Sequence, residues 1–210
     1  MKIATIKSML FGSLFFLFSV GASAADAAQI AVDSTSSIPG TSVTLKGEPQ
    51  NLLGTALEIG KPLPTTILTD AHTMKKVDLS QFKGKVLLIS LVPSIDTKVC
   101  EAQTHYLGER GTNLPADVVR VTISRDTPFA QKRFSEEAKL RNITFLSDYR
   151  DGSFGKATGL LIDDSRLLAR SVIVVDRVGI VRYIQVVPEL SHLPDMEAAF
   201  TKAKELLREK

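Results

Sequence analysis

Two runs of branched apolar residues restrict this chain most: KVLLISLV (Lys85–Val92) and DVVRVTIS (Asp117–Ser124). The first is a continuous stretch of Val, Leu and Ile bounded by Gly84 and Pro93. It has no polar side to turn to water, so it suits a strand buried on both faces. The second run is of the same kind. Strands of that sort need helices above and below, and the intervening segments supply them. The spacing predicts a helix over Lys98–Arg110. In TPFAQKRFSEEAKL, Thr127 is placed to cap a helix and Pro128 takes its first position. NITFLS reads as a further strand and GSFGKATGL as a short helix. SVIVVDRVGIVRYIQVV, Ser171–Val187, is two strands around a turn at Arg177–Gly179. In the tail, Asp195–Arg208, one helical face collects Met196, Ala199, Phe200, Ala203, Leu206 and Leu207. Strands alternating with helices predict an α/β fold. Its sheet should be mostly parallel and covered on both faces, with antiparallel edge strands added by the late hairpin.

Ahead of this core, TSVTLKG and EPQNLLG form a hairpin pattern with its turn near Gly47. EIGKPLPTTIL is an extended, proline-punctuated connection into a short strand, Thr66–Thr69, and DAHTMKK is a polar loop. Asp26–Gly40 is small and polar, a loosely held lead-in. Met1–Ala24 starts with Lys2 and Lys7, continues through the apolar Met9–Val20 and ends in GASA, the layout of a secretory signal peptide cut after Ala24. Its apolar run falls well short of the roughly 20 residues that cross a bilayer. The chain therefore divides into a signal peptide (1–24), a flexible lead-in (25–40) and one domain (41–210). The mature protein is expected to be exported, periplasmic or secreted, and free of the membrane once the signal is cut.

Lys and Arg number 26 against 23 Asp and Glu, and no basic stripe interleaves with aromatics, so nucleic acid is excluded as a partner. The single cysteine, Cys100, says more. An exported chain meets an oxidising compartment where disulfides form. A lone thiol cannot close one within its own chain. It is a buried filler, an intermolecular partner or a reactive thiol. Pro93 ends the buried strand, and Asp96 and Thr97 are both suited to cap the helix that follows. With either cap, Cys100 falls in the first helical turn. There the unpaired N–H groups and the positive end of the helix dipole favour thiolate over thiol. The three histidines are His72, His105 and His192. His105 stands about 140° round the helix from Cys100 at ~3.6 residues per turn, and the other two belong to loops. The pattern supports neither a Cys–His nucleophile nor a zinc site, and no metal or cofactor is expected. Without a C-x-x-C pair, a thiol–disulfide oxidoreductase is ruled out as well.

PSIDTKVC resembles the active-site loop of peroxiredoxins, with Pro93, Thr97 and Cys100 in the spacing P-x-x-x-T-x-x-C. VTLKGEPQNLLG, VPSIDTKVCEAQ, SRDTPFAQKRF and LLARSVIVVD, each in its place between Thr41 and Leu207, are similar to the bacterial thiol peroxidase branch. The resemblance implies a thioredoxin-like fold, a mixed central sheet flanked by helices, with an N-terminal β-hairpin. It also implies a peroxidase that reduces hydrogen peroxide or organic hydroperoxides. In that likeness Cys100 attacks the O–O bond and becomes a sulfenic acid. Thr97 holds thiolate and peroxide by its hydroxyl, Pro93 shields the pocket from water, and Arg170 sets its fork of donors on the charge that develops. Branch members carry a resolving cysteine after PFAQ-x-RF, where this chain has Ser135. A one-cysteine mechanism with an external thiol reductant follows, and branch members commonly form homodimers. The contrasting expectation is a non-catalytic redox sensor or partner-binding relative, in which Cys100 oxidises and stays oxidised.

Overall fold

A computed structural model describes residues 29–209. The expected signal peptide, 1–24, and the first residues of the lead-in lie outside the described residues. In chain order the strands are β1 (Val32–Asp33), β2 (Ser42–Leu45), β3 (Glu48–Leu53), β4 (Ile67–Asp70), β5 (Lys76–Asp78), β6 (Val86–Leu91), β7 (Val118–Ser124), β8 (Thr144–Ser147), β9 (Leu161–Ile162), β10 (Ser171–Val175), β11 (Val181–Val186) and β12 (Leu193–Pro194). The helices are α1 (Lys98–Glu109), α2 (Pro128–Glu137), α3 (Ser153–Thr158) and α4 (Met196–Arg208).

The run that reads as doubly buried is β6, and all of its residues are buried. Its alternate side chains go to opposite faces, as the strand period requires. Val86 and Leu88 join the cluster containing Leu107 of α1 and Phe200 of α4. Leu87, Ile89 and Leu91 join the cluster containing Phe154 of α3 and Leu160. The central sheet runs β11-β10-β6-β7-β8-β4-β5.

The sheet is mixed rather than mostly parallel. Only β6–β7 and β7–β8 are parallel in it. The pairings β10–β6, β10–β11, β4–β8 and β4–β5 are antiparallel. Parallel neighbours need a long crossover, and the short links between β4 and β5 and between β10 and β11 allow only antiparallel pairing. Strand β5 begins at the end of the expected polar loop. Three residues with one buried apolar side chain, Val77, are too few to display an alternation.

The N-terminal hairpin is as expected. Leu45 pairs with Glu48 across a two-residue turn. Lys46 and Gly47 both adopt positive φ, 53° and 83°. That left-handed pair matches the twist of the flanking strands, and glycine takes it without steric cost. The hairpin continues into β9 as a small sheet beside the main one.

The described part of the lead-in is tied down, unlike the loose segment expected. Val32 and Asp33 pair in parallel with Leu193 and Pro194. Ser37 bridges to Val186, and the buried Gln185 amide donates to the carbonyls of Asp33 at 2.6 Å and Thr35 at 3.0 Å. Two helices are capped by side chains, α2 by the expected Thr127 and α4 by Asp195. Thr127 accepts from Ala130 N–H at 3.3 Å, and Asp195 accepts from Ala198 N–H at 2.9 Å. Met196, Ala199, Phe200, Ala203 and Leu206 are buried on the sheet and Leu207 is half-buried. Among the described residues no helix is long and apolar enough to cross a membrane.

Candidate active site

Where β6 stops, the chain passes through Pro93 and a short loop into α1. Thr97 occupies the N-cap position by its extended backbone, but its side chain makes no capping bond. Its hydroxyl donates to Ser94 O at 3.2 Å instead. Asp96, the other cap candidate, is exposed, with its carboxylate 3.5 Å from Arg133. Its charge is directed at that guanidinium and not into the helix. Pro93 is half-buried at the strand end.

Cys100 sits in the first turn of α1, fully buried against Val92, Ile95, Ala130 and Phe134. Arg170, the residue before β10, is only 2 % exposed. All three of its donor nitrogens are used. Nε donates to Leu190 O at 2.9 Å, Nη1 to Gln103 Oε1 at 2.8 Å and Nη2 to Cys100 Sγ at 3.3 Å. None of these acceptors is a carboxylate. A buried cation is costly unless something balances its charge, and the one acceptor here able to become an anion is the sulfur. The structure thus brings together Cys100 and Arg170, with the loop of Pro93 and Thr97 leading into them.

The histidines are engaged elsewhere. His105 Nδ1 is 3.0 Å from Glu109 on the same helix, and His192 Nδ1 is 3.1 Å from Asp33. His72 Nε2 is 3.2 Å from the hydroxyl of Ser135. Ser135 itself is buried in α2 and donates to Lys132 O at 2.8 Å.

A model of the Redoxin family matches residues 58–200. The thiol peroxidase of Listeria monocytogenes is 47 % identical over 164 residues, covering 78 % of this chain and 98 % of that protein. The thiol peroxidase of Bacillus subtilis is 42 % identical over 167 residues, 79 % of this chain and 98 % of the other. The chain belongs to the thiol peroxidase branch of the Redoxin family. The crystal structure of a peroxiredoxin-like protein from Aquifex aeolicus superposes with a TM-score of 0.75 at 34 % identity, over 81 % of this chain and 99 % of that one. A thiol peroxidase from Chromobacterium violaceum shares the fold, with a TM-score of 0.69 at 22 % identity. The thioredoxin-like fold and a thiol-dependent peroxidase activity come with that membership, and Cys100 is the one thiol this family member has.

Two residues of this thiol peroxidase site escaped the sequence reading. Gln103 lies three residues after Cys100 and so on the same side of α1. It is fully buried, and its amide donates to Ser90 Oγ at 2.8 Å and to Leu91 O at 3.3 Å while its oxygen receives Arg170. It anchors both the helix and the guanidinium to the end of β6. Asp126, just past β7, accepts from Ser94 Oγ at 2.8 Å and from Ile95 N–H at 2.9 Å, so it holds the loop that carries Thr97. The helical spacing was a usable signal for Gln103. Asp126 had none, because its partners lie across the sheet.

Proposed function

We propose that this thiol peroxidase reduces hydrogen peroxide or organic hydroperoxides through a one-cysteine cycle centred on Cys100. The carrying observation is the buried Arg170 fork, with one arm at 3.3 Å from Cys100 Sγ and no carboxylate among its acceptors. Its charge lies against the attacking sulfur, which stands in the first turn of α1 at the positive end of the helix dipole. The thiolate attacks the distal peroxide oxygen. An S–O bond forms, the O–O bond breaks, and the leaving alkoxide or hydroxide takes a proton to become alcohol or water. The same guanidinium faces the negative charge that grows on the peroxide oxygens. Thr97, on the loop that Asp126 holds, turns its hydroxyl from Ser94 O to the thiolate and the incoming peroxide, and Pro93 keeps water from the pocket.

The sulfenic acid left on Cys100 is two electrons more oxidised than the thiol. Ser135 stands where a resolving thiol is expected, and a hydroxyl cannot condense with a sulfenic acid to make a disulfide. An external thiol therefore displaces water to give a mixed disulfide, and a second thiol releases Cys100. The enzyme works outside the cytoplasm after loss of residues 1–24. It works as a homodimer that buries the region near α1, where Phe129 on the first turn of α2 is 70 % exposed. Sedimentation should give twice the chain mass, and Phe129→Glu should shift it to the monomer.

The decisive measurement follows reduced protein after one equivalent of peroxide by stopped flow and mass spectrometry. Wild type gains one oxygen at Cys100 within the mixing experiment and consumes peroxide continuously with a small thiol present. Cys100→Ser should gain none. Arg170→Ala should slow the gain by roughly 10²-fold, the usual loss when a transition-state donor is removed. Wild-type rates in either variant would overturn the assignment. Fast oxidation without turnover in any thiol would favour the sensor.

A further inference from the structure

One of the three acceptors that orient Arg170 lies outside the helix and strands of the site. The Leu190 carbonyl belongs to the connection from β11 to β12. A carbonyl in a connection holds its position only if the connection is itself held. Leu190 N–H donates to Thr44 O at 2.8 Å, and Thr44 N–H donates to Pro188 O at 2.7 Å. This joins the peptide that faces Arg170 to strand β2 of the hairpin.

The neighbouring side chain, Glu189, makes that join rigid. Its carboxylate accepts from Thr44 Oγ1 at 2.8 Å, from Lys46 N–H at 2.9 Å and from Gly47 N–H at 3.0 Å. It also accepts from Ser191 N–H at 3.1 Å and Ser191 Oγ at 2.7 Å. The left-handed turn at Lys46 and Gly47 is what points two successive amides at one anion. Ser191 closes the same anion from the other side of Leu190. The residue whose carbonyl reaches Arg170 is thus bracketed by bonds to a single carboxylate.

We propose that Glu189 is a positioning residue for the peroxidatic site: it clips the β2–β3 turn to the β11–β12 connection and so fixes the Leu190 carbonyl that aims the Arg170 fork at Cys100. The inference deepens the function proposed above and rests on it. Without the clip, Leu190 O drifts, Arg170 keeps Gln103 as its one fixed protein oxygen, and the arm that faces sulfur loses its aim.

The test is a double-mutant cycle on the second-order rate of Cys100 oxidation by hydrogen peroxide, measured in wild type, Glu189→Gln, Arg170→Ala and the double variant. Gln keeps the shape but turns a donor amide toward the donors of the turn. Glu189→Gln should slow oxidation about tenfold, within the usual coupling of neighbouring groups. In the Arg170→Ala background the same change should cost less than about twofold, because the aim of an absent fork no longer matters. Glu189→Asp, which keeps the charge, should recover part of the rate, and it takes the place of Gln in the cycle if Glu189→Gln does not fold. A wild-type rate in Glu189→Gln, or an equal loss in both backgrounds, overturns the inference. If Arg170→Ala itself oxidises at the wild-type rate, the proposed function falls and this falls with it. If Arg170→Ala is slow while Glu189→Gln is not, only the positioning role is lost.

Discussion

Glu189 carries opposing influences that make it a pH reporter at the scale of one residue. Burial pushes its carboxyl up, and the hydrogen bonds from Ser191, Gly47 and Lys46 outweigh that and hold it at about 2, against an ordinary 4.5. Its folded value is depressed, so its contribution to stability is fully present above pH 4.5. It is lost as pH falls from there toward 2, because the unfolded chain takes up a proton that the folded chain refuses. The denaturant midpoint of wild type should therefore exceed that of Glu189→Gln at pH 7, and the gap should narrow by pH 3. A gap that stays constant would show that the carboxylate is not held as described. Residues of this sort were illegible in the sequence. Cys100, Pro93 and Thr97 stood out because their spacing resembles a known loop, and Arg170 because LLARSVIVVD resembles a stretch of the same branch. Glu189 and Asp126 act through partners far along the chain, and the sequence alone holds no trace of a bond between Glu189 and Lys46, whereas Gln103 had its helical spacing from Cys100 as a signal.

At the scale of elements, legibility followed signal length. Strands β6 and β7 and helices α2 and α4 were readable from runs, caps and periodicity that span whole elements. β1, β9 and β12 are two residues each, and they exist because a distant segment lies alongside. β1 gives the clearest case, since small polar residues that read as loose become a strap across β12. The strap satisfies the amide of Gln185, which is 3 % exposed. Val32 and Gln103 also line the same hollow of about 170 Å³. Removing the chain up to Ser36 deletes the acceptors Asp33 O and Thr35 O and the Ser36 hydroxyl that receives Val186 N–H. At about 1 kcal/mol per net hydrogen bond, with water replacing part of the loss, the cost is roughly 2 kcal/mol. For a domain of this size that lowers the melting temperature by roughly 4–8 °C. Calorimetry of the truncated protein measures it, and an unchanged transition would mean the strap is ornamental to stability.

The whole molecule is arranged around one thiol, and its parts differ in how firmly they hold the segment that carries it. Cys100 is fully buried, and Ala130 and Phe134 of α2 pack against the cluster it forms with Val92 and Ile95, so an outside thiol reaches its sulfur only when that cover opens. Parting of α1 and α2 is the opening expected for reduction after the peroxide step. Between them lie the exposed Asp96–Arg133 pair at 3.5 Å, the edge-on contact of the His105 and Phe134 rings at 6.3 Å, and the packing of Phe134 on the Cys100 cluster. Ser135 follows Phe134 on the same helix and turns to His72 and Lys132 O. If α1 and α2 do part during each cycle, a thiol placed at 135 should meet the oxidised Cys100 in the open form. Ser135→Cys treated with one equivalent of peroxide should lose two hydrogens in mass, show no remaining free thiol and migrate as an internally bridged monomer on denaturing gels. Wild type should instead hold one added oxygen until an external thiol is supplied. A dithiol should then reduce the variant's internal disulfide by two successive exchanges, where wild type, with no second thiol, goes from the sulfenic acid to a mixed disulfide with the external thiol. A Ser135→Cys protein that keeps its added oxygen and its free thiol would mean that the helices stay shut around the sulfenic acid. The external reductant would then need a route to the sulfur other than the seam between α1 and α2.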